Sequence, residues 1–180
     1  MAADDLPLDY ATLPSVAGDI GVAWGPSGVE RIWFVAADGG FCVPQAWRQQ
    51  AAAGYGVGEQ LAAYFAGTLQ SFDLPLMPRG TAFQQRVWQA LLLVPYGTSS
   101  SYGQLARALG QPGAARAVGG ANHCNPLPIV IPCHRVVGAN GRLGGYAGGV
   151  HFKRLLLDLE LRHCYGGSRI DGATDVQAST

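Results

Sequence analysis

Apolar residues recur along the chain with two periods. Ile20 to Trp24 and Val29 to Val35 are rich in Val, Ile and aromatic residues and flank Gly25-Pro26-Ser27-Gly28. That composition suits a tight turn, so the two runs predict paired strands. Phe41-Cys42-Val43 predicts a third, short strand. Glu59 to Ala66 favours helix, with Leu61, Tyr64 and Phe65 as its buried face. Leu74 to Gly80 is punctuated by Pro75 and Pro78 and predicts an extended linker. Thr81-Ala82-Phe83-Gln84 then has the form of a capping box, opening a helix with Phe83, Val87, Ala90 and Leu91 on one face. Val94-Pro95-Tyr96-Gly97 ends it. Two more helices are predicted, about Tyr102 to Leu109, stopped at Gly110, and about Ala114 to His123. Around their Gly-containing turn they make a helix-turn-helix candidate. Phe152, Leu155, Leu156 and Leu159 mark a last helix with Glu160 beside its stripe, and residues 166–180 read as a flexible polar tail.

Ile129 to Val137 stands apart from these patterns. Its Val and Ile residues predict a deeply buried strand, and Pro132-Cys133-His134-Arg135 lies in its middle. A cysteine there can be simply structural. It can also be a shielded nucleophile with His134 and Arg135 beside it. A free thiol titrates near ~8.5, so a reactive one needs neighbours that favour the thiolate.

Composition and charge narrow the class. With 180 residues, 48% apolar and 13% charged, the chain fits a globular protein of one large or two small domains. Four cysteines without regular spacing do not suggest a disulfide framework. No apolar run is long enough to span a membrane, and Met1-Ala2-Ala3-Asp4-Asp5 lacks the pattern of a secretory signal. A cytoplasmic location and no membrane partner are expected. The net charge of zero conceals a division. Residues 1–78 carry two basic and eight acidic side chains, a net of −6, whereas residues 79–165 carry nine basic and two acidic, a net of +7. The sign changes at the Pro-rich linker, so a domain boundary is placed near 78, and the basic part calls for an anionic partner. Within it, Ala114, Ala115, Ala117, Gly119, Gly120 and Ala121 leave one helix almost smooth, with Arg116 as its long side chain. Tight helix packing is the ordinary reason for such a surface; close approach to DNA is another.

Tyr102-Gly103-Gln104-Leu105-Ala106, Ala115-Arg116-Ala117-Val118-Gly119, Asn125-Pro126-Leu127-Pro128, Pro132-Cys133-His134-Arg135, Gly145-Tyr146-Ala147-Gly148-Gly149 and Lys153 stand in one order here. Together they resemble the O6-alkylguanine-DNA alkyltransferases, also called methylated-DNA–protein-cysteine methyltransferases. The resemblance is strong over 80–163 and weak over 1–78. It implies an α+β chain: a small sheet-containing, ribonuclease H-like supporting domain over 1–78, then a mainly α-helical domain with the helix-turn-helix over 79–165. It also implies a monomer acting on double-stranded DNA that contains O6-alkylguanine, once per molecule and with no cofactor.

The same resemblance implies roles for single residues. Cys133 would take the alkyl group, with His134 removing the thiol proton through a water and Glu160 orienting that histidine. Tyr102 would donate to guanine N3, and Asn125 would brace the turn before the active-site strand. Arg116 would fill the space left by a flipped base, with Ala115, Ala117 and Gly119 in the minor groove and Arg135 among the DNA-binding residues. Tyr146, Ala147, Val136, Pro128 and Gly148 would form the substrate pocket. Ala147 stands where the family often has Ser, which removes a hydroxyl but keeps a backbone donor. Some members hold a structural zinc in the N-terminal part. Residues 1–78 here have Cys42 but no histidine, so no Cys/His zinc site can be built there, no metal is expected, and Cys42 is expected in the core. His123 and Cys124 precede Cys133 and His134, but a metal shared by these four would occupy the nucleophile. Competing readings are a non-catalytic lesion-binding relative, a thiol hydrolase and a transcription regulator. The first would lack the cysteine; the second leaves Arg116 unexplained; the third needs side chains that the smooth helix does not have.

Overall fold

β-Branched and aromatic residues on either side of Pro26-Ser27 form the expected hairpin, β2 (Ile20–Gly25) against β3 (Gly28–Phe34). The computed structural model describes residues 7–35, 41–138, 141–143, 146 and 148–166. A strand that the sequence pattern did not announce, β1 (Asp9–Leu13), pairs antiparallel with β2, and β4 (Arg48–Gln49) adds parallel to β1. The sheet order is β3-β2-β1-β4. Side chains alternate across it. Ile20, Val22, Ile32 and Phe34 enter the main core, while Ala23, Trp33 and Trp47 form a smaller cluster apart from it. A Cβ at Gly21 would lie 2.0 Å from the Trp33 ring, so this close approach admits only glycine.

Phe41-Cys42-Val43 is not a strand. Phe41 and Val43 pack on the Trp33 cluster from an irregular segment, and Cys42 between them is exposed instead of buried in the core. The aromatic ring makes the segment stick; it does not make it pair. Helix α1 (Val57–Phe65) buries Val57, Leu61 and Tyr64. The linker after it is extended as expected, and it leans on the sheet: Val29 N donates to Pro75 O and Met77 N to Val29 O, both at 2.8 Å.

Helix α2 (Ala82–Leu92) starts with the capping box intact, Thr81 accepting from Gln84 N while Gln84 accepts from Thr81 N. It buries Val87, Trp88 and Leu91, and Trp88 Nε1 donates to Ala121 O at 2.9 Å. That bond ties α2 to α4 (Ala115–His123), which follows α3 (Tyr102–Ala108). A second capping box, Ser101 with Gln104, begins α3, and Gly110 follows its end at φ +70°. The last helix is α5 (Val150–Tyr165). Of the expected tail, 166–180, residues 167–180 lie outside the described residues. The whole is a mixed α+β fold with a small sheet and several helices, and its main core takes residues from both the acidic and the basic parts of the chain.

The strand expected over Ile129 to Val137 is replaced by something tighter. Burial is as expected, with Ile129, Val130, Ile131, Cys133 and Val136 all at 4% exposure or less. The backbone, however, turns after Asn125, with Ile131 N bonded to Leu127 O at 2.8 Å and Ile129 held at φ +74°. A positive φ is costly for a β-branched residue, so the surroundings must hold it there. Cys133–Arg135 then make one 3₁₀ turn, and only β6 (Val136–Val137) is extended. β6 pairs parallel with β5 (Ser100–Ser101), which brings the start of α3 beside the cysteine.

Candidate active site

Cys133 is 1% exposed. Burial pushes its thiol up to about 11, against the opposing effects of an Asn125 hydrogen bond and the Lys153 charge. The Asn125 amide donates to the sulfur at 3.0 Å. The Tyr146 hydroxyl adjoins the same sulfur without the geometry of a full hydrogen bond. Cys133 therefore rests as a thiol, with Asn125 and Lys153 placed to favour a thiolate.

His134 and Glu160 are both fully buried, and His134 Nε2 lies 2.8 Å from Glu160 Oε1. Burial works against charge on the carboxyl, but the hydrogen bond and charge of His134, then those of Arg135, outweigh it, bringing Glu160 down to about 2. An ionised carboxylate can only accept, so Nε2 carries the proton and Nδ1 keeps the lone pair. Nδ1 is buried with no hydrogen-bond partner among the described residues. Burial, with the Arg135 and Lys153 charges, lowers the His134 pKa against the opposing effect of Glu160. The imidazole is thus neutral and its free nitrogen is a base.

Arg135 departs from expectation. It is only 6% exposed, bonds Glu160 through Nε and Nη2 at 3.0 Å each, and donates to Val94 O at 2.7 Å. Its guanidinium also lies 5.4 Å from the Tyr96 ring centroid. A buried carboxylate needs a buried cation, and Arg135 is that partner. Gly97 N adds a bond to Glu160 Oε2 at 3.0 Å. Gly97 has φ +69°, and a Cβ there would lie 2.3 Å from Cys164 Sγ, so glycine is required.

The remaining expected residues fall in two groups. Tyr102 opens α3 half-buried, with Lys153 Nζ 5.8 Å from its ring centroid, and burial followed by the Cys133 charge raises its pKa. Asn125 is buried, Val136 is fully buried, and Val136 O accepts from Lys153 Nζ at 2.6 Å. Pro128, Gly148 and Asn125 line a cavity of about 360 Å³ with Phe34 and Phe152, whose rings stack at 4.3 Å. Ala147 lies outside the described residues. The second group is on α4: Arg116 and Ala117 are exposed and Ala115 and Gly119 half-buried, with a Gly119 Cβ reaching no closer than 3.9 Å to the Tyr102 ring. Small residues on this helix therefore leave an open surface beside the Tyr102 end of the cleft. Cys124, at the end of α4, is exposed.

The model of the 6-O-methylguanine DNA methyltransferase DNA binding domain matches residues 82–162. The methylated-DNA–protein-cysteine methyltransferase of Mycobacterium bovis is 58% identical over 114 residues, 63% of this chain and 69% of that protein. That of Methanosarcina acetivorans is 46% identical over 151 residues, 84% of this chain and 97% of its own length. The chain belongs to the methylated-DNA–protein-cysteine methyltransferase family. Among solved members, the Mycobacterium tuberculosis OGT in complex with DNA superposes with TM-score 0.79 at 46% identity, covering 86% of this chain and 94% of that one. The Pyrococcus kodakaraensis O6-methylguanine-DNA methyltransferase does so with TM-score 0.65 at 29% identity, covering 85% and 98%.

The structure also gathers around this site residues to which sequence reading assigned no role. Lys153 is the single lysine in the chain and is fully buried. Its signal was available, since Lys153, Leu156 and Glu160 share one face of α5 at helical spacing. Phe34 and Tyr64 reach the site from the acidic part, and no local pattern could pair them with it.

Proposed function

We propose that this protein repairs DNA directly by moving the alkyl group of O6-alkylguanine irreversibly onto Cys133. The buried Cys133 with Asn125 on its sulfur, backed by the His134–Glu160 pair, carries this reading. The thiol proton leaves toward His134 Nδ1, directly or through a water. The sulfur attacks the alkyl carbon, the S–C bond forms as the C–O6 bond breaks, and the electron pair returns to guanine, which takes up a proton. The product is a thioether, so the protein is a reagent used once. Tyr102 stays protonated because burial and the Cys133 charge raise its pKa, which fits it to donate to the leaving base. Lys153 would stabilise the thiolate at the moment it forms.

The O6 atom of a stacked guanine cannot reach a thiol that is 1% exposed, so the nucleotide must be flipped out. Arg116 on the exposed, small-residue face of α4 would take the vacated place, with Ala115, Ala117 and Gly119 against the narrow minor groove. In this reading α3 and α4 act as a helix-turn-helix, residues 79–165 form the transfer domain, 1–78 form a ribonuclease H-like support, and one copy acts on duplex DNA in the cytoplasm. Pro128, Tyr146, Ala147, Val136 and Gly148 would receive the alkylated base. A purely lesion-binding protein would need no such thiol.

Intact-protein mass spectrometry after mixing with duplex DNA containing O6-methylguanine tests this. One methyl group per molecule should appear on Cys133, and Cys133→Ala should take up none while still binding DNA. Repeated turnover, or no adduct on the wild-type protein, would reject the mechanism.

A further inference from the structure

Tyr64 belongs to α1, in the acidic part of the chain, and the reaction above assigns it nothing. It is fully buried, with its ring against Phe72, Phe65 and Tyr96 at centroid distances of 5.4 to 5.9 Å. Packing of that kind asks only for a phenyl ring. The hydroxyl is what needs explaining, because burying one without a partner is costly. It donates to Glu160 Oε1 at 2.8 Å, the oxygen that faces His134 Nε2, and its own oxygen lies 3.4 Å from that nitrogen.

Resting on the alkyl-transfer reading above, we propose that Tyr64 is a positioning residue for the reaction, its hydroxyl sharing Glu160 Oε1 with the His134 Nε2 proton and thereby setting the basicity of that histidine. Glu160 Oε1 takes donors from Tyr64, His134 and Arg135, and Oε2 takes Gly97 N and Arg135 Nε. Each donor draws charge from the carboxylate and weakens its pull on a proton at His134. Removing the hydroxyl alone leaves the carboxylate less compensated, so the imidazolium becomes easier to form.

The groups that face His134 set the sign. Glu160 on α5 favours its protonation; Arg135 and Lys153 oppose it; Cys133 precedes it in the same turn and Tyr64 closes the α1 side. Loss of one donor to Glu160 tips this balance toward protonation. The acid limb of the transfer rate should therefore move to higher pH, while the rate above that limb changes little.

Tyr64→Phe keeps the ring and removes the hydroxyl. Single-turnover methyl transfer across pH should show its acid limb raised by about half a unit, about threefold in rate on that limb. Nitrogen-15 NMR of the His134 ring should show the Nε2–H tautomer in the wild type and imidazolium forming at higher pH in the variant. A folded variant with an unmoved limb and an unmoved His134 ring titration overturns the proposal. So does a wild-type His134 in the Nδ1–H form, a result that needs no variant to fold. If the NMR changes appear but the wild type accepts no methyl group, the alkyl-transfer reading fails and the hydrogen-bond assignment stands.

Discussion

The Asn125 side-chain amide donates to the Cys133 sulfur at 3.0 Å and to the Ile131 carbonyl at 2.8 Å, while its own oxygen accepts from Leu127 N at 3.0 Å. One side chain thus holds the turn that forces Ile129 to positive φ and also supports charge on the nucleophile. The two duties are inseparable, because the turn is what aims the thiol.

Asn125→Ala should therefore harm both. Leaving the Ile131 carbonyl and the Leu127 amide without this partner should cost about 1–3 kcal/mol in urea unfolding. The thiol should titrate above its present value of about 11, and methyl transfer should fall by more than the loss of folded protein explains. Parallel transfer of stability without any change in thiol titration would contradict this account.

Thiol labelling offers a second check. Cys42, Cys124 and Cys164 are exposed and Cys133 is buried. A thiol at about 11 presents about 300-fold less thiolate at neutral pH than a free cysteine near ~8.5. Brief maleimide treatment followed by peptide mapping should mark the three exposed cysteines first, and Cys133 last.

The two arginines that sequence reading grouped together should separate. Arg135→Leu strands a buried carboxylate and should destabilise by about 3–5 kcal/mol. Arg116→Ala removes an exposed side chain and should leave stability within about 0.5 kcal/mol, yet slow transfer from duplex DNA. Unfolding curves and transfer rates on the same two variants decide it; a stable Arg135→Leu protein with weakened DNA binding would restore the original grouping.

Acid should expose the Glu160 network. Its carboxyl is depressed to about 2 in the folded chain, against roughly 4.3 when unfolded. The stability this adds is complete above the unfolded value and is lost as pH falls through the folded one. Urea unfolding between neutral pH and pH 2 should show that loss in the wild type, and Glu160→Gln should lack it.

Local patterns carried much of this fold. The Gly-Pro-Ser-Gly turn between two β-branched runs, the Thr81–Gln84 box and the Gly110 stop each act within a few residues, so they are readable without the rest. β1 was not readable, since only Ala11 among its five residues is buried and its pairing comes entirely from β2. Phe41 misled because an aromatic residue serves a surface cluster as well as a strand.

Sequence by itself determined that the run from Ile129 is buried, as it is through Val136, that Cys133, His134 and Glu160 belong to one family pattern, and that charge divides near residue 78. Hydrophobicity and residue order are sufficient for those statements. Tertiary structure alone decided the 3₁₀ turn at the cysteine, the burial of Arg135 and Lys153, and the reach of Tyr64 to Glu160 across 96 positions. A hydrophobic pattern reports that a side chain is buried; which charge it meets depends on how distant helices pack, and packing is settled only when the whole core closes.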